Sequence, residues 1–274
     1  MSSFINNRFV DKEDAVLHVS DLSMQRAFAL FDFFRTVNAK PLFMEEHLQR
    51  FFNSAAAMHL PVAYSKEELQ TIIHQLIQQS QLKEAGIRLM LTGGYSPDTY
   101  HTATPNLVIT CNPVKTADDA MFQKGITAIT YEHQRELPHV KSINYLTAVW
   151  LQPLLKEMGA DDVLYHSSGV ISEFPRANVF AVINNTLVSP ARNMLKGITR
   201  KQVLTIADKL LPVEERDIHL DELKHASELF LTSTTRRIMP VLKINNQTIG
   251  NGAPGSITTA LYHRFLELEK QAIA

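Results

Sequence analysis

The sequence predicts a mixed α/β (α+β) protein of two domains. A smaller N-terminal α+β domain is expected over residues 1–112 and a larger C-terminal domain, β-rich at its centre, over 123–274. Three observations carry this. Short runs of β-forming residues alternate with segments of 3.6-residue periodicity. A polar stretch after Pro113, Lys115-Thr116-Ala117-Asp118-Asp119, interrupts them and reads as an inter-domain linker over 113–122. The chain, at 274 residues, is long enough to build two cores.

Residues 26–37 are rich in β-formers and stop at Asn38-Ala39-Lys40-Pro41, which reads as a hairpin turn. Residues 45–59 have helical spacing, with Leu48, Phe51 or Phe52, Ala55 and Met58 on one face. A second helix is expected over 66–82 behind Ser65 as N-cap, with Leu69, Ile72, Ile73, Leu76 and Ile77 on its buried stripe. Strands over 87–92 and 106–111 follow, joined by a loop that Gly93-Gly94 and Ser96-Pro97-Asp98 mark. Beyond the linker, strands are expected over 126–131, 162–166, 177–184, 228–233 and 236–243. Helices are expected over 142–158, 200–211 and 257–270.

Composition narrows the function. The chain is 45% hydrophobic and 20% charged, with net charge −1, the balance of an ordinary globular protein. A basic footprint for nucleic acid is missing, so small-molecule work fits best. Cys111 is the one cysteine, which excludes a disulfide within the chain, and its place after Leu107-Val108-Ile109 reads as a buried thiol. The first residues carry no apolar leader pattern, and no run of 18 apolar residues occurs. No membrane association is expected, and a cytoplasmic location is.

The histidines include no HExxH pairing and no cysteine cluster accompanies them, so no metal site is expected. GxGxxG is absent, against a dinucleotide-binding half, and GxSxG is absent, against that type of serine hydrolase.

Four other segments carry chemistry. Lys141 lies in Val140-Lys141-Ser142-Ile143-Asn144-Tyr145. A lysine before a helix is usually solvated, but its apolar flanks offer burial. Burial would lower an amine from its reference pKa of about 10.4, as a Schiff-base lysine requires. Glu173, between Ile171 and the apolar run from Ala177, is either a solvated turn residue or a placed anion. Gly197-Ile198-Thr199 opens a helix; Thr199 reads as its N-cap, and the same local structure would bind a phosphate. Thr232-Ser233-Thr234-Thr235 either turns the chain or offers hydroxyls to a phosphate oxygen. A lysine nucleophile, a carboxylate, a helix start and a hydroxyl cluster are together what pyridoxal phosphate needs.

In this order and spacing the segments resemble the class IV aminotransferases, the fold-type IV pyridoxal-phosphate enzymes. That family includes branched-chain aminotransferase, D-amino acid transaminase and 4-amino-4-deoxychorismate lyase. The resemblance runs over nearly the whole chain. It covers Phe31-Asp32-Phe33-Phe34-Arg35, Glu46-His47-Leu48-Gln49-Arg50, the Lys141 segment, Gly159-Ala160-Asp161-Asp162 and Ile171-Ser172-Glu173. It continues through Asn178-Val179-Phe180, Leu195-Lys196-Gly197-Ile198-Thr199-Arg200 and Thr232-Ser233-Thr234-Thr235.

The resemblance implies a two-domain fold-type IV architecture, a homodimer, and pyridoxal 5'-phosphate bound as a Schiff base on the catalytic Lys141. It implies that Tyr145 bonds near the cofactor's phenolic oxygen and that Glu173 pairs with its ring nitrogen. Arg50, the backbone of Ile198 and Thr199, and the hydroxyls of Ser233 and Thr234 would hold the phosphate, and Asn178 belongs to the same cofactor set. Phe28, Phe31, Arg176 and Thr235 are the expected substrate residues; Phe28 and Phe31 make one wall apolar, and Arg176 suits a carboxylate.

Relatives often have a Gly-Asp-Gly-type run where this chain has Arg26-Ala27-Phe28-Ala29, and small residues where it has Phe174-Pro175-Arg176. The Arg-x-His pair of the D-specific enzymes is matched by Asp98-Thr99-Tyr100 beside His101, without the arginine. The expected activity is amino transfer between an apolar or branched-chain amino acid and a 2-keto acid. The alternative is an aminodeoxychorismate lyase yielding 4-aminobenzoate and pyruvate.

Overall fold

The computed structural model describes residues 2–273, and the chain divides into two compact units. One unit holds the residues through Lys115 together with Val140–Asn144 and Ile273; the other holds Thr116–His139 and Tyr145–Ala272.

In the first unit lie β1 (Ser2–Ile5), β2 (Arg8–Asp11), β3 (Ala29–Val37), β4 (Lys40–Pro41), β5 (Ala85–Thr92) and β6 (Leu107–Pro113). Its helices are α1 (Leu22–Arg26), α2 (Met44–Ala57) and α3 (Lys66–Ser80). The strands form one antiparallel sheet in the order β2-β1-β6-β5-β3-β4. Alternation puts Leu30, Asp32, Phe34 and Thr36 of β3 on one face. Leu30 and Phe34 join Leu48, Phe51 and Ala55 of α2 in the apolar core, so Asp32 enters that core between them.

The β3–β4 turn is the expected hairpin, with Asn38 and Ala39 at φ 51° and 62°. Ser65 caps α3 reciprocally: it accepts from the Glu68 N–H, and Glu68 accepts from the Ser65 N–H. The N-terminal side of the predicted 26–37 strand is different. Leu22–Arg26 is a short helix, begun by the Asp21 carboxylate on the Ser23 N–H (2.8 Å) and ended by Ala27 at φ 52°. Local capping decides those residues, and the strand starts at Ala29.

In the second unit lie β7 (Ile126–Glu132), β8 (Asp162–Ser167), β9 (Val170–Ile171), β10 (Asn178–Ile183), β11 (Thr186–Ser189), β12 (Val213–Glu215), β13 (Ala226–Ser233), β14 (Arg237–Ile244) and β15 (Gln247–Thr248). The helices are α4 (Asp119–Lys124), α5 (Leu146–Trp150), α6 (Gln152–Glu157), α7 (Ile198–Ala207) and α8 (Ser256–Ala272). The sheet runs β12-β11-β10-β13-β14-β7-β8-β9, with β15 on β14. It is mixed: β11–β12, β14–β7 and β7–β8 are parallel and the other pairs antiparallel. Strand β10 is buried along its length, which is why residues 177–184 read as a continuous apolar run.

Three expectations shift here. Residues 113–122 are not plain linker, because Asp118 caps α4 through the Met121 N–H (2.8 Å). The helix expected over 142–158 is two, α5 and α6, where Pro153 in the first turn of α6 withholds a backbone donor. Thr199 does not cap α7; Gly197 does, and Thr199 is the second helical residue.

Candidate active site

Strand β3 and the segment carrying Lys141 lie side by side in the first unit. The Phe31 N–H donates to the Lys141 carbonyl (2.8 Å) and the Ile143 N–H to the Ala29 carbonyl (3.0 Å), with a bridge between Leu30 and Ser142. Val140 is fully buried, and Lys141 is half-buried. The Lys141 Nζ stands 4.6 Å from the centroid of the Phe31 ring, and the Arg88 guanidinium carbon stands 4.2 Å from the same ring. Phe31 thus holds two cations by their attraction to its π-face. Phe28 is partly buried against the same core.

On β3, Asp32 gathers three side-chain donors. Its Oδ1 accepts from His47 Nδ1 (2.7 Å) and from Arg50 Nη2 (2.8 Å), and its Oδ2 accepts from Arg50 Nε (2.8 Å). Burial alone would push the Asp32 carboxyl up, but Arg50 and His47 overcome it and hold the group far below the usual carboxylate range. Burial pushes the His47 imidazole down from 6.5, against the opposing pull of Asp32.

The second unit holds the other predicted residues. Glu173 is buried; its Oε1 accepts from Arg135 Nε (2.7 Å) and its Oε2 from the Leu195 N–H (3.0 Å). Of the two readings of Glu173, the placed anion is the one this geometry matches, since both donors suit a negative acceptor. The Asn178 amide donates to the Leu195 carbonyl (2.6 Å), which fixes the turn into α7. A Cβ on Gly197 would lie 2.1 Å from Asn178 Oδ1, so the chain passes where only glycine fits.

No side chain caps the first turn of α7, which leaves the N–H groups of Ile198 and Thr199 outside the helical bond pattern. Arg200 braces this turn from beneath, donating to Ser189 Oγ (3.1 Å), the Pro190 carbonyl (2.8 Å) and Glu215 (2.7 Å). Ser233 Oγ accepts from the Arg236 N–H (3.2 Å), a bond that uses the hydroxyl oxygen and not its proton. Thr234 and Thr235 continue that turn, half-buried, and the Thr235 carbonyl accepts from the Ala117 N–H (2.9 Å). Tyr145 begins α5, and Arg176 is exposed in the turn that pairs Phe174 with Ala177.

Sequence reasoning missed Arg135, Asp32, His47 and Arg88. Arg135 sits in an aperiodic loop 38 residues from its partner, and nothing local marks it. Asp32 did carry a signal, one carboxylate in the apolar run Leu30-Phe31-Asp32-Phe33-Phe34. The second unit's donor set suits a phosphorylated, cationic heteroaromatic group. It joins helix-start N–H groups and hydroxyls, suited to an anion, to a fixed carboxylate, suited to a protonated ring nitrogen. Among the described residues no group of three or more His, Cys, Asp or Glu is placed to hold a metal ion.

Proteins of known activity resemble the chain in sequence and in fold. The chain is 30% identical over 277 residues to a D-alanine aminotransferase of Bacillus licheniformis, covering 97% of this chain and 98% of that one. The fold matches the crystal structure of the branched-chain amino acid aminotransferase of Escherichia coli, with TM-score 0.92 and 24% identity, over 100% of this chain and 96% of that one. It also matches the T.th. branched-chain amino acid aminotransferase with pyridoxamine 5'-phosphate, with TM-score 0.92 and 23% identity, over 99% and 94%. Residues 29–244 match the family model for amino-transferase class IV, and the chain belongs to that family of enzymes.

Proposed function

We propose that the chain uses pyridoxal 5'-phosphate to move the amino group of an apolar α-amino acid onto a 2-oxo acid, with Lys141 as the reacting residue. The observation that carries this is Glu173, a buried carboxylate fixed by Arg135 and the Leu195 N–H in a protein of an amino-transferring family. When bound, the cofactor supplies an aldehyde for the amino group and a ring that takes up electrons from the reacting carbon.

The chain's residues do the rest. Glu173 would keep the ring nitrogen protonated. Lys141 Nζ would be the amine that meets the cofactor's aldehyde, and as a free amine it would take the proton from the substrate's α-carbon. Arg50, the N–H groups of Ile198 and Thr199, and the hydroxyls of Ser233 and Thr234 hold the phosphate. Tyr145 would bond near the phenolic oxygen, and Asn178 holds the backbone that enters α7. Phe28 and Phe31 would face the side chain of the substrate, Arg176 would take a carboxylate, and Thr235 belongs to the same substrate set. The enzyme works as a cytoplasmic homodimer.

A second reading, D-alanine as donor, is favoured by the Bacillus licheniformis relative. The two separate in one experiment. The protein saturated with pyridoxal phosphate is titrated with single L- and D-amino acids while its visible spectrum is recorded, for the parent chain and for Arg176→Ala. Conversion of the cofactor to its pyridoxamine form by one class of amino acid identifies the donor, and a raised half-saturation in Arg176→Ala supports its carboxylate role. Loading without conversion by any amino acid rejects the transaminase reading and makes aminodeoxychorismate the next substrate. Lys141→Ala is expected to abolish turnover; full activity in that variant would remove Lys141 from the mechanism.

A further inference from the structure

Asp32, His47 and Arg50 form a buried ionic cluster for which the apolar core gives no reason. Asp32 is 1% exposed and His47 3%, and the neighbours of Asp32 on its own face, Leu30 and Phe34, are fully buried. Replacing such a cluster by apolar side chains of similar size often leaves a protein as stable or more so. Stability alone therefore does not account for a carboxylate at this position.

The geometry points elsewhere. His47 and Arg50 are three residues apart on α2 and so share one helix face, the face turned to β3. The Asp32 carboxylate meets the guanidinium side-on at two points, Nε and Nη2, both at 2.8 Å, which sets the plane of the guanidinium as well as its position. An arginine side chain otherwise gives up substantial rotamer freedom each time it binds an anion.

The carboxylate is itself held. Its Oδ1 accepts from the Phe33 N–H (2.7 Å) and from His47 Nδ1 (2.7 Å). An ionised carboxylate can only accept, so Nδ1 carries the proton of this bond. The His47 ring rests against Phe34 with centroids 5.4 Å apart, which fixes its direction. Exposure rises through the cluster, from 1% at Asp32 to 12% at Arg50, so the guanidinium is the member nearest to solvent.

We propose that Asp32 and His47 are positioning residues for the cofactor phosphate: they pre-set the guanidinium of Arg50 in the orientation that receives a phosphate dianion. This rests on the reading of Arg50 as a phosphate ligand. Binding then orders little more of the arginine, and affinity for the phosphorylated cofactor is gained by pre-organisation.

The test compares pyridoxal 5'-phosphate with pyridoxal, which lacks the phosphate. Each is titrated by absorbance into cofactor-free full-length protein, with a thermal melt by circular dichroism alongside. Asp32→Asn keeps the shape and removes the charge; it should weaken pyridoxal phosphate by about tenfold or more, the range of a charge-assisted bond. Pyridoxal should change by less than about twofold, since no anion is involved. His47→Phe keeps the ring against Phe34 and removes one donor, and a smaller loss of about threefold with the same selectivity is expected. If Asp32→Asn does not fold, His47→Phe carries the comparison. In an Arg50→Ala background, Asp32→Asn should add no further loss.

Equal weakening of both ligands, or an Asp32→Asn effect that persists without Arg50, overturns the positioning role. If Arg50→Ala leaves the preference for the phosphorylated ligand intact, it is the reading of Arg50 that fails, and the proposal with it.

Discussion

A buried histidine that stays neutral ties stability to pH, and His47 is such a residue. Its folded-state value lies below 6.5, chiefly because burial penalises the imidazolium. Above 6.5 both folded and unfolded chains keep it neutral, and it costs nothing. As pH falls below 6.5, the unfolded chain takes up a proton that the folded one refuses, so stability declines. Asp32 acts in the same direction lower down. Its depressed value lends stability above the ordinary carboxylate range, near pH 4, which is lost as pH falls further. Urea unfolding of the parent chain and of His47→Phe, at about pH 7 and about pH 5.5, reads the histidine's share. The variant should lose less stability on acidification, by at most about 1.4 kcal/mol per pH unit. An equal decline in both would show that His47 does not carry the proton.

At the scale of elements, the start of α7 depends on one missing side chain. Asn178 on β10 reaches the Leu195 carbonyl, and Gly197 passes its Oδ1 where a Cβ would lie at 2.1 Å. Asn178 is buried and tied, so it cannot swing aside without breaking its bond. Gly197→Ala should destabilise the second unit by about 1–3 kcal/mol, as overpacking does, and should weaken pyridoxal phosphate binding. Adding Asn178→Ala removes the clash and should restore part of the stability, giving a coupled pair in urea unfolding. A Gly197→Ala protein as stable as its parent would refute the close approach.

The sequence made the glycine visible as a helix start but not as a close approach, because β10 lies 14 or more residues away along the chain. Ser65 and the stripe from Leu69 to Ile77 were legible because capping and helical periodicity are local. So was the apolar strand β10. The break between α5 and α6 was missed although Pro153 marks it, since a proline can also kink a helix without ending it. Arg135 on Glu173 and Asp32 on Arg50 are tertiary pairings between elements, and no period or propensity encodes them.

For the whole molecule, the homodimer proposed above would cover an apolar face. On α5, Leu146, Val149 and Trp150 are 76%, 66% and 66% exposed. Their spacing puts them on one side of the helix, a contiguous apolar patch of the kind that marks an interface. Trp150 is the one tryptophan of the chain, and its ring meets Tyr131 edge to face with centroids 6.3 Å apart. It therefore reports on its own burial. Sedimentation at micromolar concentration should give twice the chain mass, and tryptophan emission should shift to the blue as dilute monomer associates. Val149→Glu places a charge where desolvation is costly; it should leave the protein monomeric with the emission of an exposed tryptophan. A dimer whose emission matches that of an exposed tryptophan would put the contact elsewhere on the surface. A monomer at every concentration would mean that this chain departs from the homodimer expected of its family.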